Sequence, residues 1–374
     1  MKFLYHSLLF SMSLCANAAS SASVAIPKPT IPPWKLFAPL PDSVGFAGMV
    51  AGVLNGRLVV AGGSQFPKLP NWLKGEKTFS DRIFTLDGLD SEWKINPGRL
   101  PFKVANAVTA VADDKIFFAG GLDATGCLVQ VWTMQAQGDG FVFTRLPDLP
   151  EPIGYGAGVI TGGRFYVAAG LNAADSKMPS VHVWSLDLNI GKQSRAWRRE
   201  PDLPQPGVFV AAGAGVNGKF YVLGGIGFDS SGKAIPSKRA YVLDSTAGKW
   251  ERLPDLPSAR IGVSSPCPVV DQRIWAIGGY SAVFPGEPRE HPGFDAQTLA
   301  FDLTRRVWQN GPVLPTTPVA NRDSPGDTGP SPMIGAPCVI WNNYAVVIGG
   351  EVRASVRTTA VLGWPITESF VSPP

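Results

Sequence analysis

Asn55-Gly56-Arg57-Leu58-Val59-Val60-Ala61-Gly62-Gly63 joins a two-residue turn, a short aliphatic run and a glycine pair that begins seven residues after the turn does. The same offset recurs from Asp113-Asp114 to Gly120-Gly121, Gly162-Gly163 to Ala169-Gly170, Asn217-Gly218 to Gly224-Gly225, Asp271-Gln272 to Gly278-Gly279 and Asn342-Asn343 to Gly349-Gly350. Each turn uses residue types that tolerate the positive φ of a two-residue hairpin. The runs between, such as Ile116-Phe117-Phe118, are β-branched or aromatic and read as buried strands. A spacing kept through six copies is an internal repeat, and a repeat decides the architecture before any single motif does.

A second marker runs in step with the first. Trp34 to Pro41, Phe143 to Pro150, Trp197 to Pro204, Trp250 to Pro257 and Trp308 to Pro315 are each seven apart, and Trp93 to Pro101 is eight. The aromatic is expected to fill the wedge between neighbouring units, and the Leu-Pro turn to carry the chain onward. Each unit therefore reads strand, turn, strand, small-Gly pair, strand, aromatic strand. That pattern matches the four-stranded blade of a kelch-type β-propeller. The prediction is an all-β, six-bladed kelch-type propeller over residues 34–366; a sandwich or jelly roll would not hold one turn-to-glycine offset. The last unit lacks its aromatic strand while Trp34 to Pro41 stands alone before the first turn, so the N-terminal segment is expected to close the last blade and remove an open edge.

Residues 1–18 carry Lys2, an apolar run from Phe3 to Leu14 and Ala16-Asn17-Ala18, the pattern of a signal peptide with its cleavage site. Export to the periplasm or beyond follows. Lipoprotein attachment through Cys15 is disfavoured because Leu14 stands where that signal needs a small residue. Residues 19–33 read as a linker and 367–374 as a tail. No later run approaches the roughly 18 apolar residues of a membrane span.

The chain has 33 Lys and Arg against 29 Asp and Glu, and losing Lys2 with the signal leaves 32 against 29, a surplus of three that does not point to nucleic acid. Cys127, Cys267 and Cys338 would remain, in or near apolar runs, and read as small buried hydrophobes rather than a disulfide framework. Only His182 and His291 would remain of three histidines, which leaves a copper radical oxidase, another kelch-propeller chemistry, without its ligands. No metal or cofactor is expected. A homodimer stays open.

Blade topology puts the short turns on one end and the insertions, Ser64 to Asp81, Tyr280 to Asp295 and Thr316 to Pro332, on the other, which becomes the expected working face. The residues after the small-Gly pairs should ring the axis: Ser64, Leu122, Leu171, Ile226, Tyr280 and Glu351. Glu351 is the one charge among them, and partial desolvation at a channel mouth suits a carboxylate to general-base work. Glu151, in an interblade turn on the same end, is its strongest competitor.

The stretch Gly349-Gly350-Glu351-Val352-Arg353-Ala354-Ser355-Val356-Arg357-Thr358-Thr359 resembles the signature of the N-acetylneuraminate epimerases, exported sialic acid mutarotases built on a kelch propeller. There the motif is Gly-Glu, a basic residue two places on, Pro-Gly, then an aliphatic residue and Arg-Thr; Ala354-Ser355 replaces the Pro-Gly here. The order of the blades resembles a circularly permuted branch, as do His291-Pro292-Gly293-Phe294 and Lys77 with Asp81-Arg82. The resemblance implies Glu351 as proton acceptor and Arg357 as its catalytic partner on a substrate carboxylate. The expected substrate is a free acidic sugar. Arg82, Arg260, His291, Tyr280 and Phe66 are the further candidates for contacting it. The rival reading is a non-catalytic propeller that binds a glycan or protein on the same face.

Overall fold

The computed structural model describes residues 34–191, 195–204 and 206–366. The expected signal peptide, linker and tail lie outside the described residues. The chain is all-β, with short 3-10 turns at Asn71–Leu73 and Pro288–Glu290.

Each repeat folds as a four-stranded antiparallel sheet. The first sheet runs Ala47–Leu54, Arg57–Gln65, Arg82–Leu86 and Lys94–Arg99, with Thr78–Phe79 pairing beside its second strand. The second is Val108–Ala112, Lys115–Ala119, Val131–Gln137 and Gly140–Leu146; the third is Ala157–Thr161, Arg164–Ala168, Val183–Asp187 and Trp197–Glu200. The fourth is Ala212–Val216, Lys219–Leu223, Ala240–Asp244 and Lys249–Arg252, and the fifth Val269–Val270, Arg273–Ala276, Gln297–Asp302 and Val307–Val313. The sixth joins Cys338–Trp341, Tyr344–Ile348 and Val361–Pro365 to the N-terminal Lys35–Leu36, with Lys35 opposite Gly363 and Leu36 opposite Leu362. A small three-stranded sheet at the loop end sets Glu351–Arg353 against Val356–Thr358, with Gly326–Asp327 parallel beside it.

Second strands such as Leu58, Val59 and Val60 are wholly buried on both faces because each sheet is covered on both sides, which is why they read as continuous apolar runs rather than alternating ones. The apolar side chains gather into clusters that each join two neighbouring sheets. Val108, Phe117 and Leu146 of the second sheet meet Phe165, Val167 and Leu186 of the third, for example. One cluster joins Phe84 and Val60 of the first sheet to Val346 and Ile348 of the sixth. The marker indoles reach back to the previous connection: Trp197, Trp250 and Trp308 donate to the carbonyls of Pro147, Pro201 and Pro254 at 2.8–2.9 Å.

The hairpin turns have both central residues at positive φ, from Asn55 at 49° and Gly56 at 74° to Asn342 at 46° and Asn343 at 63°, as a right-twisted two-residue hairpin demands. The glycine pairs are forced by crowding. A Cβ on Gly120 would stand 2.3 Å from the Ile153 carbonyl of the next connection, and φ there is +62°.

Six backbone hydrogen bonds link the sheets in a closed cycle. Gly48 N–H donates to the Gly335 carbonyl, Asn106 to Gly48, Tyr155 to Asn106, Val210 to Tyr155, Gly262 to Val210 and Gly335 to Gly262, at 2.6–3.3 Å. Each member of this ring has positive φ, and all but Gly48, which lies within Ala47–Leu54, stand before an innermost strand. The six surround a cavity of about 70 Å³, which meets at Thr109 and Pro337 a larger apolar one of about 320 Å³ lined by the innermost strands.

Candidate functional site

The residue after each small-Gly pair pairs with the residue just before a ring member: Ala47 with Ser64, Ala105 with Leu122, Gly154 with Leu171, Phe209 with Ile226, Ile261 with Tyr280 and Ile334 with Glu351. Glu351 thus stands one residue off the ring at the loop end, held by exchanged backbone hydrogen bonds with Ile334, each 2.9 Å. Its side chain is 21% exposed, so the expected desolvation is partial.

The Glu351 carboxylate accepts from Arg357 Nη1 through Oε2, and from the Ser355 backbone N–H at 3.0 Å through Oε1. Ser355 has φ of +61°. It closes the turn, built here by Ala354-Ser355 where the signature has Pro-Gly, that brings Arg357 opposite Glu351 in the strand register. Arg357 is 3% exposed; its Nε donates to the Ser64 carbonyl at 3.0 Å and its guanidinium lies 5.3 Å from the centre of the Phe66 ring. Among the described residues its Nη2 has no partner.

Glu351 makes itself felt on four groups from three other parts of the chain. Tyr280 is pushed up to about 12, first by burial and then by that carboxylate. Burial and then Glu351 also raise Tyr155, against Arg357. Burial holds the His291 imidazole below 6.5, with Glu351 pulling the other way and Arg353 pushing down. Lys77 is exposed along much of its length, yet its ammonium is held below 10.5 by packing around it and then by Arg357, with Glu351 opposing.

The other expected contacts divide. Phe66 packs under Arg357, and Tyr280 sits beside Phe294 with ring centres 5.5 Å apart. His291 accepts the Gly293 N–H on Nδ1 at 3.1 Å, the bond of a loop-bracing residue. Arg82 is drawn to Asp42 at 2.8 Å and stacks on Phe84, while Arg260, 3% exposed, is bound to Asp295 at 2.7 Å and to the Gln297 carbonyl. Neither Arg82 nor Arg260 is bonded to Glu351 or Arg357. Glu151 accepts from His182 at 2.7 Å and the Trp184 indole at 2.9 Å, and is bonded to neither Glu351 nor Arg357. Tyr155 escaped attention in the sequence because nothing in its neighbourhood repeats by residue type.

The three insertions meet at Asp323. It accepts a two-pronged pair of bonds from Arg289, at 2.7 and 3.0 Å, and one from the Trp72 indole at 3.4 Å. Among the described residues no cluster of three or more His, Cys, Asp or Glu is arranged for a metal.

Residues 211–257 match the Kelch motif model. N-acetylneuraminate epimerase 1 of Escherichia coli is 33% identical over 237 residues, 57% of this chain and 58% of that protein. The chain is a kelch-repeat relative of the N-acetylneuraminate epimerases. The Pasteurella multocida N-acetylneuraminate epimerase is 24% identical over 239 residues, 57% of each chain. This chain therefore spans less than two thirds of the length of these epimerase relatives. Kelch-repeat likeness also extends to alpha-scruin of Limulus polyphemus, 26% identical over 68% of this chain and 27% of that protein. No helix among the described residues is long and apolar enough to cross a membrane.

Proposed function

We propose that the sheets form a closed six-bladed kelch propeller whose loop-bearing face is the active site of a cofactor-free mutarotase for a free acidic sugar, N-acetylneuraminate being the candidate named by the epimerase relatives. The cyclic hydrogen bonds from Gly48 round to Gly335, and the apolar cluster between first and sixth sheets, support closure. A rotation of blade order also fits alignments that cover only part of each chain.

The observation that carries the enzymatic reading is the Glu351 carboxylate at the axis, bonded to Arg357 of the same turn. Mutarotation needs a base for the anomeric hydroxyl and a donor for the ring oxygen. The anomeric O–H bond breaks as its proton passes to Glu351, the carbon–oxygen double bond forms, and the ring C–O bond breaks as its oxygen takes a proton from a facing donor or water, which recovers it when the ring recloses. A half-turn about the bond from the carbonyl carbon to its neighbour in the former ring, followed by the reverse transfers, closes the ring on the other face. Nothing is consumed, so no cofactor is required by this chemistry.

Arg357 suits the substrate carboxylate. Ser64 and Phe66 fix its plane, Nη1 serves Glu351, and Nη2 is the donor left for a second carboxylate. Lys77 adds positive charge to the same approach. Export through the expected signal would put this activity where free sugars arrive from outside.

The relation to alpha-scruin favours a second reading, a binding propeller without catalysis. Equilibration of freshly dissolved α-N-acetylneuraminate, followed by NMR with and without protein, separates the two. Acceleration supports the mutarotase; an unchanged rate with this and other acidic sugars leaves the binder.

A further inference from the structure

Resting on that mutarotase reading, we propose that Tyr155 is a catalytic residue of the same site, its hydroxyl giving the hydrogen bond to the sugar ring oxygen from the wall that faces Glu351.

Position comes first. Tyr155 is three steps from Gly335 in either direction round the cycle of six ring hydrogen bonds, so it stands opposite the place beside which Glu351 is held. Tyr155 lines the small cavity at the ring together with Gly335 and Ala336, which puts the residue at the ring and not in a wedge between sheets. Phe209, with ring centre 6.2 Å away and edge-on, backs the phenol on one side.

The backbone supplies a second observation. Ring members must take positive φ, and Gly48, Asn106, Gly262 and Gly335 are the residue types that do so readily. Tyr155, at +58°, is not, and such a conformation survives in a bulky residue only where its surroundings impose it. Strain alone does not select Tyr155, because Val210 shares it at +46°. The hydroxyl does: it forms no hydrogen bond to any described residue, although it lies near enough to Glu351 and Arg357 to feel both charges.

The chemistry fits that placement. The anomeric and ring oxygens diverge from one tetrahedral carbon, so a base on one wall and a donor on the facing wall reach both at once. Burial and the Glu351 charge keep the phenol protonated through neutral pH, as a donor to a developing alkoxide must be. The other candidates are less well placed. Tyr280 follows the second strand of the fifth sheet, in the repeat next to that of Glu351, and packs on Phe294, and His291 holds its own loop.

The test is the steady-state rate of N-acetylneuraminate mutarotation for the full protein, Tyr155→Phe and Glu351→Gln, each with its melting temperature. Tyr155→Phe keeps the ring, the backbone conformation and the Phe209 contact, and removes only the hydroxyl. The expected result is a kcat lower by about 100-fold, the typical loss for one transition-state donor, with KM and melting temperature unchanged. A full kcat in Tyr155→Phe beside an inactive Glu351→Gln overturns this inference and spares the mutarotase reading. A raised KM with full kcat also overturns it, since the hydroxyl would then bind without catalysing. An active Glu351→Gln, or an unmodified protein without activity, overturns the reading beneath it as well.

Discussion

Glu351 and Arg357 face each other in the register of two short strands, and the guanidinium of one is hydrogen-bonded to the carboxylate of the other. Arg357 is almost wholly buried, with Ser64 and Phe66 fixing its plane, while Glu351 keeps one face to solvent. The rigid member of the pair is the cation, and the accessible member is the proposed base.

Arg357→Ala strands the Glu351 carboxylate and the Ser64 carbonyl together. Breaking a pair this buried should cost about 3 kcal/mol of stability, read by urea denaturation. Arg357→Lys keeps the charge but loses the planar fork, and its KM for an acidic sugar should rise about 10-fold or more, a loss near 1.4 kcal/mol. An unchanged KM in a folded Arg357→Lys protein argues against carboxylate recognition there.

Asp323 ties Trp72, Arg289 and its own insertion into a canopy beside the site. Its surface position makes this an effect on local order. Asp323→Ala should speed amide exchange in the segments around Trp72 and Arg289, with little change in melting temperature. Exchange identical to the unmodified protein would show that the insertions hold without it.

Burial keeps the His291 imidazole below its ordinary 6.5, despite the pull of Glu351. An unfolded chain then binds this proton more readily than the native one, so the contribution of His291 to stability is complete above about 6.5 and is lost as pH falls through the lower native value. His291→Gln should flatten that part of the stability profile between neutral and mildly acidic pH. A slope that persists unaltered assigns the effect to other groups.

Cys267 and Cys338 line the apolar axial cavity, and burial pushes the first to about 12 and the second well above its usual value. Thiolate is the reactive form. Of the three thiols among the described residues, Cys127, half-buried, should therefore react first with a thiol reagent, and the other two only on unfolding. Rapid modification of either buried thiol in native protein contradicts this.

The hairpins were legible because each needs two residues at positive φ, and Asn, Asp and Gly advertise that need wherever it recurs. The pairing of Lys35–Leu36 with the last strand was legible too, as a missing aromatic strand at one end and a spare one at the other. Glu351 followed from its place after Gly349-Gly350, and Arg357 from the resemblance around it. Tyr155 was hidden because the ring conserves a backbone conformation, not a side chain: Gly, Asn, Tyr, Val, Gly and Gly fill its positions. Arg82 and Arg260 looked free because their partners, Asp42 and Asp295, are 40 and 35 residues away in sequence.

The central claim is that Glu351 moves the proton. The direct measurement is NMR of freshly dissolved α-N-acetylneuraminate at neutral pH with the unmodified protein, Glu351→Gln and Glu151→Gln at equal concentration. The account predicts that Glu351→Gln loses the acceleration by about 10²–10⁴-fold while remaining folded at the assay temperature, and that Glu151→Gln retains it. A folded Glu351→Gln protein that equilibrates the anomers as fast as the unmodified one contradicts the account.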